Sequence, residues 1–239
     1  LDISSSTGTV NDFEAVTAKL KPIPGIASVT PTVQGQVFVT GSRKSGAGAL
    51  VKGVLPQDLA GRQLIANSIV AGSLKDFVES DDVAVMGERL AETIGAHVGD
   101  SIQVISPITT PTMMGDIPRI KTYRVVALFN VGMYQYDNGI VFAPLAAVQT
   151  HLPVKNGVTD IEVMAKDIRD VPKLKPAICA ALDGKMVYSM AQSTLCQAGN
   201  TQYVIGDWEQ ANADFFTAVE VERNVMFLIL TLIIVVAPF

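Results

Sequence analysis

Among the residue types that do chemistry, the 239-residue chain carries only two cysteines and two histidines. Cys179 and Cys196 lie far from any C-x-x-C spacing, and His97 and His151 are solitary. No set of metal ligands can be assembled from these, so no metal site is expected. The cysteines have two readings. In an oxidising compartment they could pair, closing a loop worth about 3 kcal/mol of chain entropy. In a reducing one they would be a core thiol and a loop thiol. Spacing alone leaves this open. There is no G-x-S-x-G elbow, and neither histidine adjoins a nucleophile. The stretch Gly41 to Gly48 lacks the Gly-Lys-Ser/Thr of a phosphate loop, and Val51 breaks the dinucleotide fingerprint after Gly46-Ala-Gly48. Both glycine runs read as hairpin turns. Asp81-Asp82 reads as a solvated loop and Glu220/Glu222 as a helix face. Neither an enzyme nor a cofactor is expected.

The background in which these residues sit is apolar. Hydrophobic residues make up 49% and charged residues 17%, with 18 Lys plus Arg against 23 Asp plus Glu, a net charge of −5. Disorder is excluded, because it needs low hydrophobicity and high charge. Nucleic-acid binding is disfavoured in an acidic chain that lacks a counterion-releasing surface. The apolar excess concentrates at the end, where Val225 to Phe239 carries no charge. A spanning helix needs about 20 such residues, so this run reads as the first two-thirds of a transmembrane helix. Residue 1 is Leu, and Asp2 to Gly8 has no signal-peptide pattern. The chain is expected to be part of something longer.

The elements that must position any site follow from periodicity and punctuation. Val10, Phe13, Val16 and Leu20 predict a helix, capped by Asn11 or Thr9 and stopped at Pro22-Ile-Pro-Gly25. Strands are predicted over residues 26–31, 35–40 and 49–54. Leu64 to Phe77 fits no template. Residues 82–86 predict a strand, followed by a helix with Leu90 and Ile94 inward and Gly95 as its stop. Val98-Gly-Asp100 turns into a strand over 101–105. Further strands are predicted over 122–131, 140–142 and 157–165, with a short helix opened by Pro144. Val171 to Leu182 predicts a helix, 186–188 a strand and 189–199 a loop. Asp207 and Gln210 resemble a capping box opening a long stalk helix that runs into the apolar end. The fold class is therefore α+β. Residues 1–55 and 150–206 are expected to form a split βαβ subdomain, with 56–149 inserted as a β-rich subdomain and 207–239 as stalk and start of the membrane helix.

One segment differs in kind. Ser106 to Lys121 carries three prolines and one glycine, too broken for regular structure. Within it, Pro111-Thr-Met-Met-Gly-Asp-Ile-Pro-Arg119 places Met113, Met114 and Ile117 on a loop between two strands. Such side chains cost solvation unless covered, methionine suits adaptable binding surfaces, and proline reduces the entropy lost on docking. Either a partner covers them or the loop folds back on its own subdomain; the residues leave both open.

Several of these stretches resemble a known family. Pro22-Ile-Pro-Gly-Ile-Ala-Ser-Val-Thr-Pro31, Leu90-Ala-Glu-Thr-Ile-Gly-Ala-His-Val-Gly-Asp100 and Val125-Val-Ala-Leu-Phe-Asn-Val-Gly132 are similar to the extracytoplasmic domain of MacB-type ABC permeases. Asp207-Trp208, Phe215-Phe216, Val221 to Phe227, Gly132-Met-Tyr-Gln-Tyr-Asp137 and the Met-Gly-Asp-Ile-Pro-Arg119 loop narrow the resemblance to lipoprotein-releasing permeases of the Lol system, LolC/LolE type. The resemblance implies a bacterial inner-membrane subunit with its large domain in the periplasm and a porter-like βαβ subdomain. It also implies a homo- or heterodimer of permeases working with a separate LolD-like cytoplasmic ATPase. Acylated lipoproteins would be extracted from the inner membrane and passed to a LolA-like periplasmic carrier. A protruding hook would contact that carrier through Pro111, Met113, Met114, Ile117, Pro118 and Arg119. On the stalk, Phe215, Phe216 and Met226 would face the acyl chains, although an aromatic stripe on a helix more often marks packing. The runner-up is a MacB-type exporter domain that transmits ATPase-driven motion to an adaptor and an outer-membrane channel. The hook separates the two, because an exporter gives no reason for it.

Overall fold

A computed structural model describes residues 1–41, 45–112, 115–154, 157–188, 194–207 and 213–236. Its strands are β1 (Asp2–Ser5), β2 (Ile26–Thr40), β3 (Gly46–Val54), β4 (Ile69–Gly72), β5 (Val83–Gly87), β6 (Ser101–Thr112), β7 (Gly115–Phe129), β8 (Ile140–Pro144), β9 (Asp160–Ala165), β10 (Lys185–Tyr188), β11 (Thr194–Ala198) and β12 (Thr201–Gly206). The helices are α1 (Phe13–Leu20), α2 (Pro56–Gly61), α3 (Gln63–Ala66), α4 (Glu88–Ile94), α5 (Tyr134–Gly139), α6 (Leu145–His151), α7 (Val171–Ala181) and, last, α8 (Ala213–Val236). The α+β class stands.

Long β2 organises everything. Residues 26–32 of this strand pair antiparallel with β9, and residues 33–40 pair with β3. The two strands expected at 26–31 and 35–40 are thus one. Through its first half, β2 joins the order β10-β11-β12-β1-β9-β2. Through its second half it enters a closed ring, β2-β3-β8-β5-β7-β6 and back to β2. Closure leaves no open edge around the ring. Its inside is filled by Val39, Val51, Met86, Ile102, Val104, Tyr123, Val125 and Val141, all essentially inaccessible to water. The pairing groups residues 33–54 with the ring, so the boundary expected at residue 55 cuts between β3 and α2 rather than between the two sheets.

Helix α6 lies over the seam. Val148 comes so close to Gly53, and Leu152 so close to Gly35, that a Cβ on either glycine would stand 2.8 or 2.7 Å from a side-chain carbon. On the seam's other face Glu162 of β9 takes Lys52 of β3 at 2.8 Å and Arg62, between α2 and α3, at 2.5 Å.

Helix α7 is held twice: a disulfide joins Cys179 to Cys196 of β11, and Lys175 Nζ lies 2.6 Å from Asp207. Residues 194–198, expected within a loop, therefore form a strand. They lie between β10 and β12, and Cys196 is fully buried. The start of β1 pairs with the end of β12, Asp2 opposite Gly206. The predicted capping box at Asp207 and Gln210 falls partly outside the described residues; Asp207 pairs with Lys175. Helix α8 exposes Val221, Val225, Met226, Phe227, Leu228 and Leu230. Among the described residues no helix is long and apolar enough to cross a membrane.

Candidate functional site

The segment expected to be irregular is a ladder. Strands β6 and β7 pair from Ser101↔Arg124 out to Thr112↔Gly115, with one register shift between Ser106 and Thr109. The three prolines fit because each occupies a place that tolerates a missing N–H: Pro107 lies in the bulge, and Pro111 and Pro118 lie on a ribbon with free outer edges. Strand β6 pairs with β2 only from Gln103 to Ile105, and β5 meets β7 only from Arg124 onward. Among the described residues the hairpin has no strand partner beyond these points, so it extends past the pairings that close the ring. Seven residues from Ser106 to Thr112 give it a reach of about 20 Å at the rise of a strand.

Of the residues expected on a hook, Ile117 is 53% exposed and Pro118 is exposed. Pro111 pairs with Asp116 in the ladder, whereas Met113 and Met114 lie outside the described residues. Ile108 and Ile120 are also about half exposed, at 47% and 56%. Ile117 and Ile120, an odd and an even position on β7, lie on opposite faces of the ribbon. A strand that serves a core buries one face; this one offers apolar side chains on both. At its root, Phe38, Ile105 and Ile120 are cross-strand partners in one row. Phe38, Ile108 and Ile120 were not singled out from the sequence; the alternation of β-branched residues through the proline-rich stretch was the signal.

Arg119 differs from the rest. Its guanidinium reaches back to the Thr150 carbonyl at 3.5 Å. Lys121 donates to the Ala147 carbonyl at 3.3 Å and pairs with Asp82 at 2.8 Å. The Tyr123 hydroxyl, which burial shifts to a higher pKa, lies 3.5 Å from the same Ala147 carbonyl. Arg119 meets the carbonyl end of α6, where the helix dipole favours cations, whereas Lys121 and Tyr123 meet a carbonyl in its first turn. At the other end of α6, the Glu79 carboxylate accepts from Ala146 N–H at 3.0 Å. The hairpin's direction is therefore set by a short helix gripped at both ends.

His151 closes that helix. It is buried edge-on against Tyr123, with ring centroids 6.5 Å apart. Burial, reinforced by Lys121 and Arg119, lowers its pKa. The folded protein thus resists protonation that the unfolded chain accepts. The stability this gives is present above the ordinary histidine value near 6.5 and is lost as pH falls below it. His151→Phe should flatten the dependence of urea-melt stability on pH just below the ordinary histidine value, about 6.5, while the wild type declines.

Of the stalk residues, Phe215, Phe216 and Met226 all lie on α8, and Met226 is 55% exposed. The described residues contain no group of three or more His, Cys, Asp or Glu able to hold a metal.

A ring-closed barrel, a βαβ sheet sharing one long strand with it and a hairpin leaving its rim define a class. The family model of the MacB-like periplasmic core domain matches residues 2–181, and the chain belongs to that family. The resemblance read from the sequence stands at this level. The lipoprotein-releasing system transmembrane protein LolC of Neisseria meningitidis is 29% identical over 215 residues, covering 90% of this chain and 48% of that protein. LolC of Xylella fastidiosa is 24% identical over 237 residues, covering 99% and 52%. The chain thus spans about half the length of the curated relatives it matches. Among solved structures, the extracellular domain of the ABC-type transporter YknZ from Gram-positive bacteria superposes with a TM-score of 0.53 at 10% identity, covering 86% of this chain and 99% of that one. The periplasmic region of MacB from Actinobacillus actinomycetemcomitans gives 0.52 at 16%, covering 76% and 81%. At such identities these two establish the fold alone.

Proposed function

We propose that the chain is the periplasmic part of an inner-membrane ABC permease that releases acylated lipoproteins and passes them to a LolA-like carrier. A separate LolD-like ATPase would supply the energy. The observation that carries this reading is the projecting hairpin with exposed isoleucines on both faces. A carrier that shields acyl chains must own an apolar groove, and a ribbon apolar on both sides fits into one. Pro111, Met113, Met114, Ile117 and Pro118 would enter it, while Arg119 would help hold the ribbon's root as well as meet the rim. Helix α8 would continue toward the bilayer, with Phe215, Phe216 and Met226 beside the passing chains.

Residues 1–207 contain the entire sheet, and calorimetry on that segment tests the reading. Wild type should bind the periplasmic carrier, and Met113→Asp/Ile117→Asp should weaken binding by more than about 30-fold, the scale of a central anchor, with its melting temperature unchanged. A folded wild type that ignores the carrier would overturn the lipoprotein reading in favour of the exporter.

A further inference from the structure

The β1–α1 loop and the β11–β12 turn border a cavity of about 120 Å³, at the end of β12 remote from Asp207. Thr9, Asn11 and Asp12 form one wall, Asn200 and Thr201 the other, and Tyr203 of β12 completes the lining. The walls are fixed before anything binds. Ser6 N–H donates to the Gln202 carbonyl at 2.9 Å, tying loop to turn, and the Ser5 and Thr7 hydroxyls meet at 2.8 Å. Two polar groups are nevertheless left over. Tyr203 is only 9% exposed, and no hydrogen bond engages its hydroxyl among the described residues. Burial, and after it the Asp12 carboxylate, raise its pKa, so it stays a neutral phenol that both donates and accepts. Asp12 stands at the start of α1, yet its side chain does not cap the helix. A nearly buried hydroxyl without a partner costs stability unless something in the cavity engages it.

What the lining lacks selects the ligand. A wider cleft of about 470 Å³ adjoins the cavity, sharing Asn11 and Asp12 and running past Phe13 and Glu14 to Gln149. No lysine, arginine or histidine lines either space. With Asp12 and Glu14 present, an anion is repelled. A lone carboxylate in the cavity is a poor metal site, since hard cations gather several charged oxygens. Hydroxyls and amides that donate and accept together match the neighbouring hydroxyls of a sugar. Size agrees, because a cavity of about 150 Å³ holds one six-membered ring. The cleft has room for further units, and half-buried Phe13 gives it an apolar face. We propose that this is a glycan-binding site, taking one sugar ring of a neutral oligosaccharide in the cavity and the next along the start of α1. The site stands apart from the permease reading and from the hook, so its failure and theirs are distinguishable.

Saturation-transfer NMR on the full chain in lipid nanodiscs tests this, with chitotetraose and maltotetraose as the probes. At least one should bind with a Kd on the order of 1 mM, the level of a small site that orders its ligand. Tyr203→Phe, which removes only the oxygen, should weaken binding about tenfold. Asp12→Ala should weaken it by a similar factor, and both variants should keep the wild-type melting temperature. A response to chitotetraose alone would assign sugars bearing acetamido groups, as in cell-wall glycan. A response to maltotetraose, with or without the other, would assign plain hexose chains. Silence from both sugars, or binding that both variants leave unchanged, would overturn the proposal.

Discussion

Glu162→Gln is expected to lower stability by about 3 kcal/mol, because it strands two cations at the seam. Lys52, Arg62 and Glu162 have side chains only 15%, 26% and 16% exposed. Burial acts to raise the Glu162 pKa, but Lys52 and Arg62 outweigh it through charge and hydrogen bonds, and the net shift is downward. Glutamine keeps the shape and removes the charge. Lys52 and Arg62 then lose the carboxylate they share and keep only the longer-range influence of Asp2 and Asp58 respectively, and the Arg62 Nε already has no hydrogen-bond partner. At this chain length the loss corresponds to a fall of about 6–12 °C in melting temperature. The sign with pH follows from the lowered pKa. The carboxylate's contribution is complete above the unfolded value, near 4.5, and disappears as pH drops through the lower folded one. Melts of wild type and Glu162→Gln should therefore differ at pH 7 and converge in acid. Curves that stay parallel below pH 4 would show that the triad is not the source.

Removing the disulfide should have an effect of the same size. A closed loop of 17 residues is worth about 3 kcal/mol in the chain-entropy model, so Cys179→Ala/Cys196→Ala should lower the extrapolated stability in urea by that amount and, because the freed unfolded chain is more expanded, raise the slope. Neither cysteine is accessible to solvent. Reductant should therefore leave the folded protein intact, with thiols becoming labelled only as it unfolds. Gly184 gives an independent handle: a Cβ there would stand 2.4 Å from the Cys196 sulfur and 3.2 Å from that of Cys179. Gly184→Ala must displace the bridge or the turn, and should destabilise the oxidised protein more than the cysteine-free one. Equal losses in both backgrounds would place the strain in the backbone alone.

Local chemistry was legible where a few neighbouring residues decide the outcome. The 82–86 strand, the helix with Leu90 and Ile94 inward, and its stop at Gly95, which adopts a left-handed φ of 67°, all follow from period and punctuation. So do α7 and the apolar character of the last helix. The same holds for the family, whose motifs are short and contiguous. Polar β1, β11 and β12 escaped, because strands of four to six residues with few apolar positions carry no periodic signal. The apolar residues of the 106–121 segment stood out by type, but its ladder did not, since proline argues against a strand only until one knows that both outer edges are free.

By itself, then, the sequence determined the α+β class, the family and the apolar character of the 106–121 segment. Tertiary structure decided the rest: that β2 belongs to two sheets, that six strands close a ring, that Cys196 meets Cys179, and that Arg119 turns inward. It also joined Lys52 to Glu162 across 110 residues of chain. Each of these depends on which distant strand occupies an edge, and edges are assigned by the packing of the whole core, which no local pattern encodes.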